Sequence, residues 1–388
     1  MTDRLSALLH TEADQLRVPP PDAGAVLAGG RRLRRRRRIT TAGTSLAALA
    51  LVGGIGLAAV GGGDPADRAV DLPPAGTPSV TWAVGSGSTV HLDDGSSVAV
   101  DGVVTSLSYT SAGVLARTGA TSSADQAERD YELIDGAGEP TAFELELGDR
   151  VASTDPTLPL IAYARAGADA RTWEVVLRDV RSGEEVRAVD VEGAFTWGGW
   201  SAPPVALDGD TVYVGLDAAT LAVDWRTGQV TTSTLPPATM PTVRAGREVV
   251  DLGRDGGEAV VEVTSEEVLL ETEGSEQLVS LSPDGATALL HGYRLCEGTA
   301  TSPQSDTTDE QPDRCRFTED GALVDLATGR RTPVALDGAS GSGWTADGRL
   351  VVVAEETVEV CELDGTCTPT GIEVDEAGVR VAGSLYEA

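Results

Sequence analysis

Beyond residue 80, one short element comes round seven times: a β-rich run, an acidic tight turn ending in glycine, and a second β-rich run. The sharpest copies are Asp179-Val-Arg-Ser-Gly183, Asp224-Trp-Arg-Thr-Gly228 and Asp325-Leu-Ala-Thr-Gly329. Looser copies are Asp93-Asp-Gly95, Asp135-Gly-Ala-Gly138, Glu271-Thr-Glu-Gly274 and Asp364-Gly365. Their first residues lie 42, 44, 45, 47, 54 and 39 positions apart, a mean of about 45. That is the length of one four-stranded propeller blade. The turn has a mechanism: Asp caps the turn amides, Ser or Thr adds a second bond, and Gly supplies the positive φ.

A second turn repeats as well. Ser153-Thr-Asp-Pro156, Ser282-Pro-Asp-Gly285 and Thr345-Ala-Asp-Gly348 each precede an apolar run, as a turn from an innermost strand to the next one would. The runs themselves are short, β-rich and bounded by turn residues, such as Leu160-Ile-Ala-Tyr-Ala164 and Leu350-Val-Val-Val-Ala354. Seven turns predict an all-β fold, a seven-bladed propeller of four-stranded blades over residues 80–388. The first repeat holds only three strands (80–84, 88–92 and 97–101), and Val379-Arg-Val-Ala-Gly383 is a spare strand at the other end. That spare strand is expected to complete the first blade and leave no open ring edge.

On these residues the chain resembles the exported β-propellers with quinoprotein-like and WD40-like repeats. Ala222-Val-Asp224-Trp-Arg-Thr-Gly228 is similar to the core of the quinoprotein repeat, although Thr232 stands where its later Trp would be. The Gly-His and Trp-Asp dipeptides of WD40 blades are absent. The pairing of this propeller with an Arg-rich head (1–38), an uncharged run (39–60) and a Gly/Pro-rich tether (61–79) resembles single-pass membrane proteins of high-GC actinobacteria. The resemblance implies an architecture and no reaction.

The preceding segment differs in kind. The 388-residue chain has a net charge of −32 and no Lys; all 29 basic residues are Arg. Residues 1–38 carry nine Arg against four acids, or +5, which leaves −37 beyond residue 38. Ile39 to Val60 is a run of 22 residues without a charge. As a helix it would span roughly 33 Å, against a hydrocarbon core of about 30 Å. Arg34, Arg35, Arg36, Arg37 and Arg38 stand immediately before it, and the positive-inside rule keeps that end cytoplasmic. The expected order is a cytoplasmic head (1–38), a transmembrane helix (39–60), a Gly/Pro-rich linker (61–79) and an extracellular propeller (80–388). A signal peptide cleaved after Gly56-Leu57-Ala58 is the alternative. In the head, Leu5, Leu8, Leu9, Ala13 and Leu16 share one helical face, a docking helix for a cytoplasmic partner or a solvated leader. An Arg cluster beside a span is a topology signal that also holds anionic lipid, so no nucleic-acid partner is expected.

All four cysteines lie beyond the span. Cys361 and Cys367 bracket an Asp-Gly hairpin turn, and Cys296 and Cys315 bracket a polar insertion. Two local disulfides fit an oxidising compartment. No cofactor is expected. Carboxylates crowd at Asp93-Asp94, Asp208-Gly-Asp210, Asp306 to Asp313 and Glu355-Glu356; solvated turns are the first reading and calcium the alternative. His91 and His291 are the only histidines of the exported part, and neither adjoins a nucleophile motif, so no catalytic residues are assigned. Phe195, Trp197 and Trp200 cluster in Phe195-Thr-Trp-Gly-Gly-Trp200, either as a wedge between blades or as a patch for a protein, peptide or glycan. The sequence therefore points to a membrane-anchored binding, sensing or scaffold module. An exported carboxylate-dependent hydrolase is the alternative.

Overall fold

A computed structural model describes residues 76–121, 130–145, 147, 150–169, 171–196, 200–237, 240, 242–252, 257–272, 277–292, 294–297, 314–317, 320–376 and 378–384. The head, the candidate span and most of the linker lie outside the described residues. No helix among the described residues is long and apolar enough to cross a membrane.

The strands run in chain order as seven blades. The first holds β1 (Ala83–Ser86), β2 (Thr89–Leu92) and β3 (Ser97–Ala99). The second holds β4 (Val103–Thr110), β5 (Gly113–Gly119), β6 (Asp130–Ile134) and β7 (Pro140–Phe143). The third holds β8 (Ala152–Thr154), β9 (Leu160–Ala166), β10 (Thr172–Asp179) and β11 (Glu185–Glu192). The fourth holds β12 (Val205–Asp208), β13 (Thr211–Gly215), β14 (Thr220–Asp224) and β15 (Gln229–Thr232). The fifth holds β16 (Val243–Arg244), β17 (Arg247–Asp251), β18 (Glu258–Glu262) and β19 (Val268–Glu271). In the sixth, a hairpin of β22 (Arg294–Glu297) and β23 (Arg314–Phe317) interrupts β20 (Gln277–Leu281), β21 (Thr287–Gly292), β24 (Gly321–Asp325) and β25 (Arg331–Val334). The seventh holds β26 (Gly341–Trp344), β27 (Leu350–Ala354), β28 (Thr357–Cys361) and β29 (Cys367–Glu373), and β30 (Arg380–Val381) follows.

Each blade is a four-stranded antiparallel sheet, and the first is ordered β3-β2-β1-β30. The spare strand therefore closes the ring, pairing Val84 with Val381 and Gly85 with Arg380. The closure is locked from both sides. The Ala382 amide donates to Ala83 O (3.1 Å) and the Trp344 amide to Gly383 O (3.1 Å). Gly383 sits at φ +69, and a Cβ there would stand 2.2 Å from Trp344 O, so only glycine fits.

The core is divided in the same way. Alternating side chains of each blade meet those of the next, and each of the seven seams holds one apolar cluster among the described residues. The seam between blades 3 and 4 is the largest, with Leu177, Leu207, Val214 and Trp225 buried in it. Among the described residues the seam between blades 4 and 5 holds the fewest buried apolar side chains, Ala206, Tyr213, Leu235, Val243 and Val263. Glu248 on β17 belongs to that seam: it pairs with Val243 in register and is 2% exposed. Its neighbour Val249 packs on the opposite side, toward blade 6. A carboxyl group thus occupies a core position.

In five blades the leading Asp accepts from amides of its own turn (Asp135, Asp179, Asp224, Asp325 and Asp364), whereas in blade 1 Asp93 accepts from Thr81 and Asp94 takes the turn amide of Ser96. Asp93, Asp135, Asp179, Asp224, Asp325 and Asp364 all stand between the third and fourth strands. The Thr227 amide donates to Asp224 Oδ1 (2.9 Å), and the Thr328 amide to Asp325 Oδ1 (2.9 Å). These amides hold both carboxyls below the usual carboxylate range. Gly183, Gly228 and Gly329 adopt φ of 71°, 76° and 69° and donate to the carbonyl of the leading Asp.

The fifth blade departs from the expectation. Glu271 to Gly274 is not its turn, because Glu271 ends the outer strand β19. The turn is Glu262-Val-Thr-Ser-Glu266, between β18 and β19. Glu266 takes the glycine place at φ 58°, and its amide donates to Glu262 O (2.8 Å). Glu262 reaches Arg247 at 3.7 Å instead of capping the turn. With Asp and Gly both replaced by Glu, the repeat is invisible to a pattern search. Glu266→Gly should therefore raise stability by about 0.5–1 kcal/mol in urea denaturation, since αL backbone strains any residue with a Cβ. An unchanged midpoint would mean that the turn is unstrained.

Candidate functional site

Antiparallel order sorts the connections onto two faces. First-to-second and third-to-fourth turns emerge on one face; second-to-third loops and blade-to-blade connections emerge on the other.

The turn face is tied together across the seams. The Ser111 amide of blade 2 donates to Leu158 O of blade 3 (3.1 Å), and the Gly209 amide of blade 4 to Asp155 Oδ2 of blade 3 (2.8 Å). Asp208 of blade 4 accepts from the Ala245 and Gly246 amides of blade 5 (2.7 and 2.8 Å). Arg247 donates onward to Gly285 O of blade 6, and the Ala346 amide of blade 7 to Thr81 O beside blade 1 (2.7 Å). Most of the crowded carboxylates serve this framework. Asp93 accepts from the Thr81 amide and hydroxyl (2.8 and 2.5 Å), Asp94 from the Ser96 amide (2.8 Å), and Asp210 pairs with Arg226 (2.5 Å). No group of three His, Cys, Asp or Glu that could hold a metal occurs among the described residues. Asp306 to Asp313 lie outside them.

The disulfide expected at Cys361–Cys367 is formed, across the turn between β28 and β29. Cys296 and Cys315 are register partners in the β22–β23 hairpin.

The other face carries the longer connections. Phe195, just after β11, meets Trp173 edge-on, with ring centroids 6.1 Å apart and planes at 88°. The Trp173 indole donates to Gly193 O (3.1 Å), and Thr196 donates to Asp217 through its amide (3.0 Å) and hydroxyl (2.9 Å), which fixes the segment. Phe195 packs on the seam between blades 3 and 4 but stays part-exposed, and Trp200 is half-buried. Trp197 lies outside the described residues. Trp173, which the sequence reading did not single out, is the partner the fold supplies; its place near the start of a strand was the only sequence signal.

The inserted hairpin reaches over this face. Arg316 donates to Gly338 O (2.8 Å) and pairs with Glu376, which is 8% exposed in the connection that leads to β30. Phe317 meets His291 edge-on at 5.2 Å. Burial lowers the pKa of His291 and, on the outer strands of blade 1, of His91, which contacts Ser97 at 2.9 Å. Glu355 and Glu356 form the two-residue turn between β27 and β28, both exposed and both at positive φ (49° and 66°).

No protein-family model matches the chain, and no curated protein matches it. Solved structures do. The chain is similar to apo AztD from Citrobacter koseri at 14% identity and a TM-score of 0.46, covering 80% of this chain and 100% of that one. It is similar to TolB from Acinetobacter baumannii at 13% identity and a TM-score of 0.35, covering 80% and 67%. A protein from Lactobacillus plantarum matches at 13% identity and a TM-score of 0.42, covering 78% and 99%. At such identities and scores, none of them lends its activity to this chain. What the chain itself presents is an all-β, seven-bladed propeller, with one face bound into a hydrogen-bonded belt and the other carrying the long connections.

Proposed function

We propose that the protein is a membrane-anchored, extracellular binding module that presents the loop face of its propeller to a protein, peptide or glycan. The observation that carries this reading is the Phe195–Trp173 pair, part-exposed on a connection held in place by Asp217. Aromatic edges on a fixed backbone stack a sugar or anchor a peptide at low entropic cost. The turn face spends its polar groups on its own seams, whereas the loop face does not repeat from blade to blade. The uncharged run 39–60 and the Arg cluster before it support anchoring with the head inside. The large negative charge of the exported part favours cationic partners and disfavours nucleic acid.

Two measurements test this. Protease shaving of intact cells that carry a C-terminal tag should remove the tag and leave a head fragment. Photo-crosslinking on the same cells should give adducts from a reactive residue at position 200 and none from position 328 on the turn face. A tag protected in intact cells would overturn the extracellular placement, and equal crosslinking from both positions would overturn the choice of face.

A further inference from the structure

Each blade ends in an outer strand that turns one row of backbone groups toward the rim of the ring. Six of the seven carry the features that keep natural sheet edges from pairing. β3 has three residues, and β7 opens on Pro140. β11 carries Glu185, Arg187, Asp190 and Glu192, and β19 ends on Glu271 opposite a register shift at Val260/Val261. β25 holds Arg331 and Pro333, and β29 holds Pro369 and Glu373. β15 has none of these. Gln229-Val-Thr-Thr232 is uncharged, free of proline, paired with β14 in unbroken register and exposed at all four residues.

The pairing fixes which groups point outward. The Ser233 amide donates to Thr220 O (2.9 Å), so those two residues form a hydrogen-bonded pair. Bonded and non-bonded pairs alternate along an antiparallel ladder. Val230 and Thr232, opposite Val223 and Leu221, are therefore in the non-bonded pairs, and their N–H and C=O groups face the rim. Their side chains share the sheet face of Val223 and Leu221, which pack in the seam with blade 3.

A charge stands at the head of this edge. Arg187 of blade 3 lies against Gly228, the residue before β15, and a Cβ there would come within 2.8 Å of its Nη2. Its Nε is buried with no hydrogen-bond partner, and Arg187 is in no ion pair among the described residues. A part-buried guanidinium in that state favours a carboxylate as its partner.

We propose that β15 takes up a fifth strand, the extended C-terminal segment of a protein partner, with its terminal carboxylate on Arg187. Antiparallel pairing is the more stable kind, and it brings the incoming C-terminus to the Gly228 end. Main-chain bonds to Val230 and Thr232 supply the affinity, and the side chain opposite Val230 rests on it. A second copy of this chain is the poorer occupant, because it would bring another −37 against the exported body. The edge shares no residue with Phe195, Trp197 or Trp200, so its loss would leave crosslinking from position 200 unchanged.

The probe is the fluorescein-labelled peptide Ser-Gly-Thr-Val-Thr-Val, with its C-terminus free or amidated, followed by anisotropy against the full chain in detergent. The free acid should bind about tenfold tighter than the amide, the worth of a hydrogen bond to a charged group. Arg187→Gln should erase that difference and leave the amide's binding unchanged. Val230→Pro deletes an outward N–H and no bond to β14, so it should weaken both peptides about tenfold. A melting temperature near that of the wild type shows that the variant keeps its fold. Equal binding of acid and amide would overturn the role of Arg187, and undiminished binding to Val230→Pro would overturn the edge. Failure of both peptides to bind would overturn the proposal outright. A concentration-dependent dimer in sedimentation, abolished by Val230→Pro, would overturn the partner segment in favour of a second copy.

Discussion

Glu248→Gln should stabilise the protein at neutral pH by about 2–3 kcal/mol. Glu248 is 2% exposed in the seam between blades 4 and 5, and one of its oxygens is buried with no hydrogen-bond partner. Burial pushes its carboxyl up from 4.5 to about 8. The same surroundings, with Asp208 and Glu248 nearby, raise the Tyr213 phenol to about 12. A folded-state value above the unfolded one means that folding favours the protonated acid. Its contribution is fully present below about pH 4.5 and is lost progressively as pH rises to about 8. The wild-type chain should therefore lose stability across that window, and Glu248→Gln should flatten the loss. Urea denaturation at several pH values between 4 and 9 measures both. Parallel pH profiles for the two proteins would show that Glu248 does not carry this penalty.

Ending the chain at Gly378 should cost about 4–6 kcal/mol, because it removes the strand that closes the ring. Val379, Val381 and Ala382 are 1%, 5% and 0% exposed; the two valines fill the seam between blades 7 and 1, and Ala382 packs in the seam between blades 1 and 2. Their loss would also bare the β1 edge and leave Trp82 and Val84 half-covered. Val381→Ala is the gentler probe and should cost about 2 kcal/mol by cavity formation. Hydrogen exchange would show the effect spreading along β1 and β26, the strands that bond the closing segment. If the truncated chain kept its melting temperature, the closing strand would be an ornament of the fold and not its lock.

Much of the architecture was legible because it repeats. The Asp-to-Gly turns work through their own backbone amides, so each can be recognised without knowing what surrounds it. The three-strand first blade and the spare strand after Gly378 pointed to closure because a ring has no free edge. The pattern failed in blade 5 for a local reason: Glu266 accepts the αL backbone that glycine holds elsewhere, and Glu262 turns to Arg247. The disulfide at Cys361 and Cys367 was visible because the bracketed turn is itself one of the repeats.

The candidate sites were far less legible. Phe195 stood out in the sequence, but Trp173, the ring it meets, is 22 positions earlier and looked like any strand residue. Arg187 is likewise 41 positions before Gly228, on the outer strand of another blade. Nothing in its spacing ties it to the edge of β15.

The sequence by itself determined the blade count, the turn chemistry of five blades and the closing strand, since each depends on local hydrogen bonding and on a period of about 45 residues. Only the tertiary structure decided which carboxyl is buried, which aromatic pair faces outward and which arginine stands beside the open edge. Those properties belong to the seams between blades. A seam is made by residues some 40 positions apart, and a side chain's dielectric surroundings do not exist until both blades are in place.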